Sequence, residues 1–181
     1  MISREIYEEA VKRTLMFFEK AGIVLTDEEK GNVEVADFGL NDLEHTGLEL
    51  ITYLNTERVC AKELVLFPHQ RCPEHRHPAF GSYIGKEETF RCRWGEVYLY
   101  VDGKPTENIK AIDKAGVYTV FHEIVLRPGE QYTLSPNTKH WFEAGSEGAV
   151  VSEFSTPSYD EKDIFTDPRI ERTPQVGSNQ D

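Results

Sequence analysis

The sequence predicts a mainly β protein, either an antiparallel sandwich or a small barrel, with helical residues in front of it. The first observation is a series of short runs rich in β-branched and aromatic residues, separated by glycine, proline or asparagine. These predicted strands are residues 47–54, 63–67, 88–94, 96–103, 118–126 and 149–155. The second observation is that helix signals fade after about residue 31. Many short strands behind one leading helix are typical of β-sandwiches and barrels.

Helical periodicity is confined to the N-terminal residues. Between residues 4 and 20, apolar side chains recur at the spacing of one helix face. Gly22 follows as a stop signal. Thr26 and Glu29 have the spacing of a capping box, which predicts a second short helix over residues 27–31.

Length and charge limit the class of protein. A chain of 181 residues is the size of one domain, and at this size a domain buries about 70% of its unfolded surface without needing disulfides. The formal net charge of −12 argues against a nucleic-acid binder or a polybasic membrane protein. We therefore expect no nucleic-acid or membrane partner.

The cysteines and the N-terminal residues predict a cytoplasmic location. Cys60, Cys72 and Cys92 are an odd number without CxxC spacing, which indicates free thiols in a reducing compartment. Residues 1–20 carry charges throughout and contain neither the apolar core of a signal peptide nor a span of about 20 apolar residues.

Three histidines and one glutamate form the strongest functional pattern. His75 and His77 are two residues apart, so in a strand their side chains leave from the same face. Glu88 follows in another β-like run, and His140 lies in a third. Three imidazoles and one carboxylate at one point make a site for a divalent transition metal.

The order of these residues resembles the two signature motifs of the cupin superfamily. The first is HxH…E…G, and the second is PG…PxxxH, which ends at His140. The resemblance covers roughly residues 60–155 and implies a double-stranded β-helix, or jelly-roll barrel, with N-terminal helices and the metal inside. One departure is the gap between His77 and Glu88, which is longer than usual and is filled by PAFGSYIGKE.

Within this superfamily the chain resembles the cupin-type D-lyxose ketol-isomerases. The similar segments are AGIVLTDEE, ELVLFP, CPEHRHP, GKEETFRCR, SPNTKHWF and DIFTDPRI. The resemblance implies that His75, His77, Glu88 and His140 bind a divalent metal, typically Mn²⁺. It also implies a homodimer that interconverts free D-lyxose and D-xylulose, often with D-mannose and D-fructose as secondary substrates.

An isomerase of this kind needs a base that moves hydrogen between C1 and C2 of the sugar. Glu153 is our candidate, because Val151, Glu153 and Ser155 share one face of a predicted strand. Lys86 is two residues before Glu88 and shares its face in an extended segment, where it could polarise the carbonyl or donate a proton. We expect Asp163 and Asp167 to bind the distal sugar hydroxyls, although both could instead cap turns in the tail.

The predicted organisation has three parts. Residues 1–45 form a helical segment packed on the barrel, residues 46–157 form the barrel with the metal site, and residues 158–181 form a tail whose last eight residues or so are disordered. Residues 163–170 contain apolar side chains and could pack back on the body.

Three other functions stay open at this stage. A sugar-phosphate isomerase would need a basic cluster, and no concentrated basic run lies near the motifs. A metal-dependent dioxygenase could use the same ligands. A sugar-binding cupin without catalysis would have no need of all four ligands.

Overall fold

A computed structural model describes residues 2–111, 116–172 and 176–177. The predicted mainly β fold is confirmed. The helices are α1 (Arg4–Lys20) and α2 (Asp27–Gly31), and a 3₁₀ turn covers Asp160–Lys162. The strands are β1 (Glu34–Ala36), β2 (Leu48–Asn55), β3 (Cys60–Leu66), β4 (Arg71–Arg76), β5 (Glu88–Val101), β6 (His122–Leu126), β7 (Gln131–Leu134), β8 (His140–Ser155) and β9 (Ile164–Phe165).

Both N-terminal helices lie where the sequence predicts them. The Ser3 side chain caps α1 by accepting a hydrogen bond from the backbone N–H of Ile6. Thr26 and Glu29 form the predicted capping box at the start of α2. One face of α1 is buried, and its Phe17 and Phe18 belong to a cluster that includes outward-facing residues of β2, β3 and β8. The helix therefore covers one outer face of the sheet.

A curled antiparallel sheet forms the body of the protein. Its strands are ordered β1-β2-β3-β8-β4-β9, and β5 pairs with β6, β7 and β8. The two longest strands, β5 and β8, pair along almost their whole length. The inner faces of the strands enclose a core of aliphatic, aromatic and cysteine side chains. Cys60, Cys72 and Cys92 are buried and free, as predicted.

The prediction of two separate strands at 88–94 and 96–103 was wrong. The structure has one strand, Glu88–Val101, whose pairing with β8 shifts register on both sides of Gly95. Gly95 has a φ of +76°, and a Cβ there would lie 2.0 Å from the carbonyl oxygen of Gly148. The glycine thus allows a bulge in a continuous strand rather than ending it.

Other strand bounds also differ from the predicted ones. The run predicted at 118–126 begins as a strand only at His122, and the run at 149–155 is the end of the longer β8. β1, β7 and β9 have two to four residues each, too short for a clear alternating pattern. β1 lies within the segment predicted to be helical, and β9 within the predicted tail. Most of the last eight residues lie outside the described part of the chain.

No helix among the described residues is long and apolar enough to cross a membrane.

Glu49 makes the stability of this fold depend on pH. Burial in the sheet raises the pKa of Glu49 from 4.5 to about 8, and the hydrogen bond from Gln70 Nε2 to Oε1 offsets this only in part. Because the folded state holds this proton more tightly than the unfolded state, stability is lost as pH rises from about 4.5 to 8. We expect Glu49→Gln to change stability little at pH 5 and to raise it by about 1–3 kcal/mol at pH 9. Urea unfolding of both proteins at the two pH values measures this, and equal differences at both would contradict it.

Candidate metal centre and active site

Strand pairing brings the three predicted histidines together. His75 of β4 and His140 of β8 are direct register partners, and their ring centroids are 4.3 Å apart. His77 follows two residues after His75, and its ring centroid is 4.8 Å from that of His75. One ring nitrogen of each histidine lies within 4.8 Å of the others, and all three side chains are buried. The histidine cluster is therefore positioned to bind a metal.

Glu88 extends its carboxylate into the same cluster. Its Oε1 lies 3.1 Å from His77 Nε2 and 3.2 Å from His140 Nε2. These three atoms are buried and form no hydrogen bond within the described residues. Buried polar atoms without partners are unfavourable, and nitrogen and oxygen donors are what a first-row divalent ion prefers. The donor set therefore fits a divalent transition metal.

The outer nitrogens of the histidines are held by acceptors. His75 Nδ1 donates to the carbonyl oxygen of Pro73 at 2.7 Å, and His140 Nδ1 donates to that of Thr138 at 3.0 Å. His77 Nδ1 donates to Asp163 Oδ1 at 2.5 Å. Such contacts fix the tautomer that leaves Nε2 free to bind an ion. Asp163, predicted to bind the sugar, is thus engaged with a histidine through at least one of its oxygens.

The histidines differ in their affinity for protons. Burial lowers the pKa of His75 well below its ordinary value and also lowers that of His140. Burial acts in the same direction on His77, but Glu88 and Asp163 outweigh it and raise the pKa of His77 to about 9. His75 and His140 are therefore neutral at neutral pH. At His77, the carboxylates of Glu88 and Asp163 stabilise a positive charge.

Lys86 connects Glu88 to Glu153. Its Nζ lies 2.8 Å from Glu88 Oε2 and 2.5 Å from Glu153 Oε1. Burial alone would lower the pKa of Lys86, but Glu153 and Glu88 outweigh it and raise that pKa well above its usual range. Burial would raise the pKa of Glu88, yet Lys86 and the neighbouring histidines hold it well below its usual range. A charged lysine therefore lies between two carboxylates beside the histidine cluster.

Glu153 alternates in β8 with Val151, which belongs to the core that the sheet encloses, so its side chain leaves from the inner face. Glu153 is 5% exposed and lines the small cavity that is also lined by His75, His77, Lys86 and Glu88. Ser155 Oγ donates to its Oε1 at 3.4 Å. A carboxylate and an ammonium group thus border the same space as three of the four candidate ligands, His75, His77 and Glu88.

Sequence reasoning missed three charged residues that line this cavity, namely Lys62, Asp160 and Arg172. Lys62 Nζ lies 2.9 Å from Asp160 Oδ2, and Arg172 Nη2 lies 2.9 Å from the same oxygen. Lys62 could have been found, because it alternates with the inward-facing Leu64 and Leu66 of β3. Asp160 begins a 3₁₀ turn of only three residues and Arg172 lies in irregular chain, so no periodicity indicates a facing direction for either.

Asp167 lies outside this cavity. It lines a larger cleft of about 850 Å³ together with Tyr118 and Arg169, and its Oδ2 accepts a hydrogen bond from Arg169 Nη2 at 2.6 Å. The cleft is larger than the cavity at the histidines, but it contains none of the four candidate ligands. We therefore do not include Asp167 in the proposed sugar site.

Comparison with known proteins places the chain in a family. Residues 19–181 match the family described as D-lyxose isomerase. The chain belongs to the D-lyxose isomerase family. It is 62% identical over 179 residues to a D-lyxose ketol-isomerase of Thermofilum sp., covering 97% of this chain and 99% of that protein. It is 59% identical to the D-lyxose/D-mannose isomerase of Thermosediminibacter oceani, with the same coverage of both chains.

Solved structures confirm the fold of this family member. The L-ribose isomerase of Acinetobacter sp. DL28, in complex with L-ribose, has a TM-score of 0.79 at 15% identity and covers 97% of this chain and 98% of its own. That of Cellulomonas parahominis, with no ligand, has a TM-score of 0.77 at 17% identity and covers 93% of this chain and 94% of its own. The predicted cupin-like barrel with few helices is therefore confirmed.

Proposed function

We propose that this protein is a metal-dependent aldose–ketose isomerase that interconverts D-lyxose and D-xylulose. The observation that carries this proposal is the cluster in which His75, His77, His140 and Glu88 converge beside the Lys86–Glu153 pair. Membership of the D-lyxose isomerase family supports the reaction and the free sugar as substrate.

We propose Mn²⁺ as the bound metal, held by the three histidines and Glu88. Their nitrogen and oxygen donors suit a first-row divalent ion. When bound, the ion would supply Lewis-acid polarisation of the sugar oxygens at C1 and C2. The four protein ligands together carry one negative charge, from Glu88.

The protein groups beside the ligands would handle the hydrogen. Glu153 accepts the proton that leaves one of the two carbons and returns it to the other, while the hydroxyl proton passes between the sugar oxygens at C1 and C2. Lys86 remains charged, because its pKa is raised well above its usual range, and donates a hydrogen bond toward the sugar oxygen on which charge develops. Their 2.5 Å contact holds the Glu153 carboxylate in position before the sugar arrives.

We also propose secondary substrates, a homodimeric state and a cytoplasmic location. D-Mannose and D-fructose would be secondary substrates, which the name of the Thermosediminibacter relative supports. The protein would act as a homodimer in the cytoplasm, where a reducing environment suits three free cysteines.

The experiment that tests the function uses the metal-stripped protein with D-lyxose, with and without added Mn²⁺. We expect D-xylulose to form only with the metal. A parallel reaction with fructose 6-phosphate tests for sugar-phosphate isomerase activity. Oxygen uptake, measured with an oxygen electrode, tests for dioxygenase activity. Bound Mn²⁺ without any ketose product would contradict the proposal.

A further inference from the structure

Glu74 is a buried carboxylate on the candidate ligand strand that the proposed chemistry does not use. It precedes His75 in β4, so its side chain leaves from the opposite face of the strand. Glu74 is 0% exposed. Burying a carboxylate is unfavourable unless hydrogen bonds or opposite charges compensate it, so its partners indicate what this residue does.

The Glu74 carboxylate binds two separate segments of the chain. Its Oε2 accepts hydrogen bonds from the backbone N–H groups of Thr119 at 2.5 Å and Val120 at 3.0 Å. Its Oε1 accepts from Thr119 Oγ1 at 2.7 Å and from Thr166 Oγ1 at 2.5 Å. Lys139 Nζ adds a positive charge 3.8 Å from Oε1. One side chain thus joins β4 to the 119–120 segment and to the chain near Thr166.

Thr166 belongs to residues 158–172, which we call the C-terminal strap. The strap pairs with β4 through only two residues, Ile164 and Phe165. The next residue, Thr166, makes two hydrogen bonds to Glu74, one from its hydroxyl and one from its backbone N–H to the Glu74 carbonyl oxygen at 3.0 Å. Asp163, which accepts the hydrogen bond from His77 Nδ1, lies three residues before Thr166.

We propose that Glu74 is a positioning residue, which holds the strap through Thr166 so that Asp163 stays on His77. The inference rests on the proposed function, in which His77 is a metal ligand. A carboxylate on the outer nitrogen of a ligand histidine fixes its tautomer and ring orientation, and losing such a partner lowers metal affinity by about 10–100-fold. Loosening the strap removes the same support without touching a ligand or Asp163.

Variants of the two threonines test this role, because both hydroxyls donate to the same carboxylate oxygen and only Thr166 is on the strap. Calorimetric titration of metal-free protein with Mn²⁺ gives the affinity. We expect Thr166→Val to weaken Mn²⁺ binding by about tenfold. Thr166→Ser keeps the hydroxyl, so we expect it to bind Mn²⁺ with the affinity of the wild type. Thr119→Val serves as the matched control. We expect its Tm to fall about as much as that of Thr166→Val, and its Mn²⁺ affinity to stay within about twofold of the wild type. Equal losses of affinity in both valine variants would mean general destabilisation and would overturn the proposal.

A double-mutant cycle tests the path through Asp163. Asp163→Ala should weaken Mn²⁺ binding, and adding Thr166→Val should then change it little, because the contact that the strap supports is already gone. Independent, additive losses would overturn the proposed path. If the wild type binds Mn²⁺ and isomerises D-lyxose while Thr166→Val has wild-type affinity, only this inference fails. If the wild type binds no Mn²⁺, the proposed function fails with it.

Discussion

Replacing His77 or Glu88 by alanine is expected to abolish Mn²⁺ binding and isomerase activity together. Each substitution removes one of the four donors that converge at the proposed site, where Glu88 Oε1 lies 3.1 Å from His77 Nε2 and 3.2 Å from His140 Nε2. His77→Ala also leaves the Asp163 carboxylate without its imidazole partner. Glu88→Ala removes one of the two carboxylates that Lys86 contacts, at 2.8 Å. Of these two, only Glu153 then remains as a partner of Lys86.

Metal content by elemental analysis and ketose formation from D-lyxose measure the two effects on the same samples. His45→Ala is the matched control, because His45 pairs with Asp42 on the surface and is not part of the histidine cluster. We expect it to keep full metal content and activity. Wild-type metal stoichiometry in both His77→Ala and Glu88→Ala would refute the site, whereas loss of metal with retained activity would refute the role of the metal.

Local patterns predicted the parts of the site that lie on regular strands or within two residues of a strand end. The two-residue spacing of His75 and His77 and the alternation that includes Glu153 both follow from the period of a β-strand. Lys86 shares the direction of Glu88 for the same reason. These residues meet because β4 and β5 both pair with β8, and that pairing agrees with the cupin resemblance.

The remaining parts depend on contacts that sequence spacing does not encode. Asp163 reaches His77 across 86 positions of the chain, from a strap where it lies between a three-residue 3₁₀ turn and a two-residue strand. Nothing local indicates whether Asp163 or Asp167 faces the cavity. The continuous β5 was misread for a related reason, since Gly95 looks like a break until its close approach to Gly148 is known.

The second large effect is expected from Glu153→Gln, which should lower kcat by about 10²–10⁴-fold while Mn²⁺ stays bound. Glutamine has nearly the same shape but cannot take up a proton at neutral pH. The substitution leaves His75, His77, His140 and Glu88 in place, so metal content should match the wild type. Steady-state kinetics with D-lyxose and elemental analysis measure both quantities.

A matched control separates the base from a general effect of removing negative charge. Glu87→Gln makes the same chemical change at an exposed position between Lys86 and Glu88, and we expect wild-type kcat. An unchanged kcat in Glu153→Gln would mean that the base lies elsewhere. Reactions in D₂O add a second readout, because proton transfer through Glu153 exchanges with solvent and should place deuterium in the wild-type product. Product without deuterium would instead favour a hydride shift, in which Glu153 would act through its contact with Lys86 rather than as a carrier of the proton.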